Sequence, residues 1–331
     1  MITIKKRPYL IAEAGVSHFG SFEKAKTLLK AAIDSESDAF KIQVFNTDTL
    51  FADDAKGWKD RLKDRVLSID EIVKLSKLCD ENNIDFIITP HDDYIFPHLK
   101  DIKIKALKIG SGEVGNLDFI SRCFDFSDFV IFSTGLSSID EIDKVVKIGQ
   151  EKSKGCAILH CNTAYPTEDV DVNLSVIDEF IKRYPRNIIG YSDHTKDHFA
   201  CIGAIMNGAK IIERHITLEK NIPNAQDWKV SSLPNELKDL RKQIDRAQVQ
   251  IGNPKKIVTN SAKENIYWAC KSPYLKKSVA QGDELKLEII SMKRPFTGTK
   301  IEDILILNKK VIFKKNLEKG TAVTEDNLDF N

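Results

Sequence analysis

Eight short apolar, β-branched runs recur through the first three-quarters of the chain, each followed by a turn and a longer stretch with helical spacing. The runs are Tyr9–Glu13, Ala39–Val44, Asp85–Thr89, Ala106–Ile109, Phe129–Ser133, Ala157–His160, Ile188–Tyr191 and Lys210–Arg214. Helical segments alternate with them, among them Phe22–Ser35, Ile69–Asn82, Ser138–Gln150, Asn173–Tyr184 and His198–Gly208. Strict strand–helix alternation requires parallel strands, and eight units fit a closed (β/α)8 TIM barrel of the α/β class better than an open sheet. Ser68 and Ser138, each followed by acidic residues, mark helix starts independently of the strand pattern.

The segment Pro234–Ile251 reads as one more helix, and Gly252-Asn253-Pro254 breaks the pattern after it. The barrel is therefore assigned to residues 1–252 and a linker to 253–270. Residues 271–331 carry short strands, Gly turns and an internal repeat. Lys276–Asp283 and Lys314–Thr321 agree in spacing, which points to two related β units forming a small second domain. Its core would be thin, so docking onto another surface is expected.

The chain carries 50 Lys+Arg against 49 Asp+Glu, a balance that gives no reason to expect nucleic acid or a membrane surface as partner. Neither a signal-peptide core nor a membrane-spanning run is present in the sequence, and the expected location is cytoplasmic. The six cysteines are scattered without CxxC pairs, so neither a disulfide framework nor a thiolate zinc site is indicated, and most read as small buried hydrophobes.

In barrel enzymes the chemistry sits at the C-terminal ends of the strands. Polar residues concentrate there on all eight: Glu13; Lys41 and Gln43; Thr89; Lys108 and Ser111; Ser133 and Thr134; His160 and Asn162; Ser192, Asp193 and His194; Glu213 and His215. A single Ser or Thr in such a loop is more often a cap. Two lysines beside Ser111 and Ser133 at Gly-rich turns nevertheless resemble a cradle for a small, multiply anionic substrate. His194 and His215 end consecutive strands and could share one divalent ion, leaving positions open for water and substrate. His198 is read as first-turn residue facing solvent, and His160 as a packed barrel residue rather than a third ligand.

Taken together, these residues resemble the sialic acid (nonulosonate) synthase family. The matching motifs are AEAG (12–15) with His18 and Gly20, FKIQ (40–43), ITP with Asp92, LKIGSGE (107–113), FSTG (132–135), HCNTAYP (160–166), GYSDHT (190–195), ERHITL (213–218) and KRPFTG (293–298). The resemblance implies a metal-dependent transferase that condenses phosphoenolpyruvate with an open-chain N-acetylmannosamine-like or 6-deoxy-diacetamido sugar and releases phosphate. It implies that the tail is an antifreeze-like SAF domain of the β-clip type, and that the enzyme is a domain-swapped homodimer. By the same resemblance, Lys41, Thr89, Lys108, Ser111, Ser133, Thr163 and Ser192 would hold phosphoenolpyruvate, and Gln43, Tyr165, Asp227 and a partner's Arg294 would hold the sugar. His194 and His215 would hold Mn2+ or Mg2+. Glu13 is either a proton-transfer carboxylate or the ion partner of Lys41.

Departures cluster on the sugar side. Phe19 replaces a polar residue after the first strand, and the loop Asn224–Lys229 is one residue longer than usual, so Gln226 competes with Asp227 for the sugar. Trp228 in that loop points towards a less hydroxylated acceptor. Asn162 and Thr163 both remain candidates for phosphoenolpyruvate. Two other classes compete with the synthase: a Schiff-base aldolase using Lys108 or Lys41, and a non-catalytic sugar- or anion-binding barrel.

Overall fold

The structure is a computed structural model that describes residues 2, 7–223, 225, 227–302 and 310–330. Its contacts divide the chain into two compact units, the first ending at Gly252 and the second beginning at Asn253. Among the described residues no helix is long and apolar enough to cross a membrane.

The first unit is a closed barrel of eight strands, β1 (Tyr9–Gly15), β2 (Ala39–Val44), β3 (Asp85–Pro90), β4 (Ala106–Ile109), β5 (Phe129–Ser133), β6 (Gly155–Cys161), β7 (Ile188–Asp193) and β8 (Ile211–His215). Every neighbouring pair is parallel, and β1 closes on β8 with Tyr9 opposite Ile211 and Glu13 opposite His215.

Side chains alternate between the two faces of each strand, and this period of two builds the interior. Leu10, Phe40, Ile42, Ile88, Leu107, Phe132 and Ile212 point outward into the layer packed under the helices. The inward positions begin apolar, with Tyr9, Ile11, Ala39, Ile87, Ala106, Ile131, Ala157, Leu159 and Ile211 forming a separate cluster. Two residues further along the same faces come Glu13, Lys41, Thr89, Lys108, Ser133, Cys161 and Glu213, all buried. The barrel interior thus has an apolar lower storey and a polar upper one, stacked on the same strands.

The helices start where the sequence signals them. Ser68 and Ser138 each receive a Glu three residues on, with the Ser68 N–H donating to Glu71 at 2.8 Å and the Ser138 N–H to Glu141 at 2.7 Å. The long helix Pro234–Ile251 is pinned below the barrel by Arg241, whose buried guanidinium donates to the Pro8 carbonyl at 3.0 Å.

The second unit contains β9 (Ser272–Leu275) antiparallel to β10 (Ile290–Lys293), and β11 (Val311–Phe313) antiparallel to β12 (Leu328–Phe330). The two sequence repeats meet each other. Val279 and Leu317 exchange backbone hydrogen bonds at 2.9 and 3.0 Å, and the Ser278 hydroxyl donates to Glu318 at 2.9 Å. Its core is small, with Leu275, Val279, Ile290, Val311, Phe313, Leu317, Val323 and Leu328 as its buried apolar residues.

Candidate active site

The polar storey opens into an inner chamber of about 140 Å³ at the C-terminal ends of the strands. Glu13, Lys41, Gln43, Thr89, Lys108, Ser111, Ser133, Thr163, Tyr165, Ser192, His194 and His215 all line it. A second, outer chamber of about 330 Å³ shares Gln43, His91, Tyr165 and His215 with the first and continues past them to Asp227. These four shared residues form the threshold between the chambers.

Charge in the inner chamber is organised around Lys41. Its ammonium lies 2.8 Å from a Glu13 carboxylate oxygen and 3.6 Å from Glu213, and donates to Thr89 Oγ1 at 2.8 Å. Lys108 donates to Ser133 Oγ at 2.6 Å and stands 3.8 Å from Glu213, which also accepts from Ser192 at 3.1 Å. Burial raises Glu13 to about 7, with Lys41 opposing the rise and Glu213 adding to it. Glu213 also suffers from burial, yet Lys108 and Lys41 hold it below the ordinary carboxylate value. Two ammonium groups therefore face one firmly ionised carboxylate and one that takes up a proton near neutrality, an arrangement that favours an anionic guest.

Ser111 and Thr163 face the glycine turn after β5. The Gly135 N–H donates to Ser111 Oγ at 2.9 Å, and a Cβ at Gly135 would stand 2.3 Å from Thr163 Oγ1, so no larger residue fits. Thr163 lines the chamber, whereas Asn162 turns into its own loop, accepting from the Ala164 N–H at 3.0 Å and donating to the Asp171 carbonyl at 3.4 Å.

The two imidazoles at the ends of β7 and β8 lie with centroids 5.3 Å apart. His194 Nδ1 donates to the Asn162 carbonyl at 2.6 Å, which fixes the tautomer and leaves Nε2 to serve as a ligand. His215 Nδ1 is buried with no hydrogen-bond partner, and burial above all keeps the ring neutral, its pKa well below the usual value. A neutral ring with an orphaned nitrogen and a second ring this close fit a shared divalent ion, which the two imidazoles would hold. Among the described residues no group of three or more His, Cys, Asp or Glu gathers to hold a metal, so water and substrate would complete the shell. Tyr165 stacks on His194 at 4.2 Å.

Several residues depart from the sequence reading. His198 is half-buried, not solvent-facing, because its Nε2 pairs with Ser232 Oγ at 2.8 Å. Cys161 is buried like most of the cysteines, and it also lines the inner chamber 3.6 Å from His194 Nδ1. Trp228 lines neither chamber. Asn224 and Gln226 lie outside the described residues, while Asp227 lines the outer chamber. Arg294 belongs to the second unit, where its Nε donates to the Ala269 carbonyl at 3.0 Å. Sequence reasoning placed Glu213 at a strand end without assigning it a role, and did not single out His91, Arg61 or Arg65, which sit on loops and a short helix that have no period of two. His160 packs as expected, its Nε2 at 2.8 Å from the Val172 carbonyl.

The model of the NeuB family matches residues 28–256. The chain belongs to the NeuB family. Among curated NeuB-related proteins, the N,N'-diacetyllegionaminic acid synthase of Campylobacter jejuni is 32% identical over 88% of this chain and 92% of its own. That of Legionella pneumophila is 29% identical over 97% of this chain and 94% of its own. The crystal structure of an N-acetylneuraminic acid synthetase from Leptospira borgpetersenii, solved with citrate, superposes with a TM-score of 0.73 at 32% identity, covering 78% of this chain and 90% of that one. This likeness to a sialic acid synthetase and the closed barrel agree on a NeuB catalytic barrel of the (β/α)8 type.

Proposed function

We propose that this protein is a nonulosonate synthase that joins phosphoenolpyruvate to the open-chain aldehyde of an acetamido sugar and releases phosphate. The observation that carries the reading is the threshold: an anion-favouring inner chamber opens past His215 and Tyr165 into a larger chamber that the Asp227 carboxylate also lines. Family membership displaces the aldolase and binding-protein alternatives.

Lys41 and Lys108 are the cations for the phosphate and carboxylate, with Thr89, Ser111, Ser133, Thr163 and Ser192 supplying hydroxyls. Gln43, Tyr165 and Asp227 face the sugar. His194 and His215 are the residues that would hold Mn2+ or Mg2+, and the ion, when bound, polarises the sugar aldehyde as a Lewis acid. C3 of phosphoenolpyruvate forms the new bond to the aldehyde carbon, whose π electrons become an alkoxide that takes up a proton. Water adds at C2, loses a proton, and the C2–O bond to phosphate breaks. Glu13, half-protonated near neutrality and buried beside Lys41, is placed to carry a proton to or from these oxygens.

The proposal extends to a barrel over 1–252, a linker over 253–270 and an SAF domain over 271–331, assembled as a homodimer in which a partner's tail caps the barrel with Arg294. The thin core of the second unit supports that part. The expected location is cytoplasmic.

The test is phosphate release from phosphoenolpyruvate by chelator-treated protein, with Mn2+ or Mg2+ restored, across N-acetylmannosamine and 6-deoxy-diacetamido hexoses. Metal-dependent release with an acetamido sugar is expected, and none with any sugar would overturn the reading. A second expectation concerns pH. Above pH 7 Glu13 is ionised, competes for Lys41 and repels the anion, so phosphoenolpyruvate affinity falls as pH rises through about 7, by at most about tenfold per pH unit. Calorimetry on metal-free protein reads this directly, and in Glu13→Gln that component of the slope disappears.

A further inference from the structure

Beside the two chambers lies a third cavity, of about 440 Å³, over the turns that follow β2, β3 and β4. Among the described residues His91 alone lines all three cavities, and the reaction as proposed gives it no part. Its place follows from the strand before it. β3 ends at Pro90, yet the His91 N–H still donates to the Val44 carbonyl of β2 at 3.1 Å, so the backbone keeps the direction of the sheet one residue longer. His91 therefore shares the inward face of Thr89, two positions earlier, and its ring enters the barrel mouth above the phosphate-side hydroxyls.

The imidazole fills the wall between the inner chamber and the third cavity. On the inner side its Cε1 would stand 3.7 Å from a Cβ built at Gly110, which lies between Lys108 and Ser111 along the chain. On the other side its Nδ1 lies 3.7 Å from Glu113 Oε1. One ring thus reaches a closed pocket of about 140 Å³ and a cavity about three times that size.

Of the carboxylates around the third cavity, Glu113 is the one set against this ring. Asp92 is taken up by its own loop, accepting from the Asn46 N–H at 2.9 Å, the Tyr94 N–H at 3.1 Å and the Thr49 hydroxyl. Asp93 pairs with Arg122. Glu113 is steadied by Asn116, whose Nδ2 donates to Oε2 at 3.0 Å and leaves Oε1 towards His91. The separation of 3.7 Å is longer than a hydrogen bond, as catalytic pairs often are before substrate closes them. A carboxylate beside one imidazole nitrogen fixes the tautomer and stabilises the imidazolium when it forms.

We propose that His91, oriented by Glu113, is the proton shuttle for collapse of the C2 adduct and departure of phosphate. The inference rests on the synthase reading above and assigns a step that reading leaves without a group of its own. The attacking water brings two protons, of which one ends on the alkoxide and the other on the departing phosphate. Glu13 serves the first. For the second, the C2 hydroxyl gives its proton to His91 Nε2, and the O–H electron pair becomes the new carbonyl π bond. The C2–O bond to phosphate breaks, its electron pair leaves with the phosphate, and the phosphate takes the proton from the imidazolium. Lys41, Thr89, Lys108 and Ser111, which hold phosphoenolpyruvate in that reading, come from β2, β3, β4 and the turn after β4, the same sector of the barrel as His91.

The test measures kcat and KM for phosphate release by the full-length, metal-loaded protein, with the acetamido sugar that the wild type turns over, in His91→Gln, His91→Ala and Glu113→Gln. His91→Gln is expected to lower kcat by about 10²-fold or more, with both KM values within about threefold of wild type. Glu113→Gln, which acts through His91, is expected to cost about tenfold in kcat. In His91→Ala the missing ring leaves a gap beside the third cavity, and imidazole added to the buffer is expected to restore kcat by about tenfold or more. Three results would each overturn the shuttle: a His91→Gln kcat within about threefold of wild type, a loss confined to the KM of the sugar, or a His91→Ala protein with the wild-type unfolding midpoint that imidazole does not revive. Should His91→Ala fail to fold, the kcat of His91→Gln decides. Release by the wild type that survives His91→Gln sinks the shuttle and leaves the reaction standing, whereas no release by the wild type with any acetamido sugar overturns the synthase reading and this step with it.

Discussion

Lys41→Met is expected to reduce phosphate release by about 10²–10³-fold or more, the scale seen when one preorganised donor to a developing charge is removed. The same change should cost about 3–5 kcal/mol of stability, as for breaking a buried ion pair. Lys41 is the cation between Glu13 and Glu213, 2.8 Å from one and 3.6 Å from the other, and all three side chains are buried. Without it two buried carboxylates face each other, and one must take a proton at neutral pH. Lys41→Met combined with Glu13→Gln removes that repulsion and should recover most of the stability but none of the activity. Urea unfolding and steady-state phosphate release separate the two effects. A single variant that keeps its unfolding midpoint would show that Lys41 is not the keystone of this cluster.

Asp193→Ala is expected to lower stability by about 3–5 kcal/mol without removing any group that lines the chambers. Strand alternation sends Ser192 and His194 inward and Asp193 outward, into the layer beneath the helices. There it meets Arg214, which is fully buried and is also register partner to Asp193 across β7 and β8. Asp193 further accepts from the Tyr191 hydroxyl at 3.2 Å, the Thr195 N–H at 3.0 Å and the Cys201 thiol at 3.1 Å. Arg214 adds a bond to the Thr195 carbonyl at 2.9 Å and one to Ser232 at 3.2 Å. Truncating the carboxylate strands a buried guanidinium and opens the two strands that carry His194 and His215. A midpoint shift worth less than about 1 kcal/mol would mean that the neighbouring carbonyl and hydroxyl suffice for Arg214. Arg214→Met on top of Asp193→Ala should recover part of the loss.

Both variants probe features that the sequence revealed to different degrees. The strands were legible because their inward and outward positions obey a period of two, and most boundaries fell within two residues of the structure. The inner chamber was legible for the same reason: polar residues at the ends of eight parallel strands can only converge. Glu213 was visible as a strand-end residue, but its role was not, because it depends on Lys41, Lys108 and Ser192 arriving from three other strands. His198 was misread because Ser232 lies far along the chain and no local pattern pairs them. The helix Lys56–Leu62 gave no signal at all: its Ala55 N-cap makes no side-chain hydrogen bond and none of its residues is buried. Arg61 and Arg65 could be seen as part of a chamber only once that helix had been placed.

The two-storey interior also bears on how such a chain can change over generations. Folding draws on Ile11, Ile87, Ala106, Ile131 and their neighbours in the lower storey, which touch no reactant. Anion chemistry draws on the upper storey, and acceptor choice on side chains delivered by loops beyond the strand ends. Mutational drift in those loops can therefore explore new sugars while the lysines and the apolar floor stay put. A lineage built this way can diversify its products without passing through an unfolded or inactive ancestor.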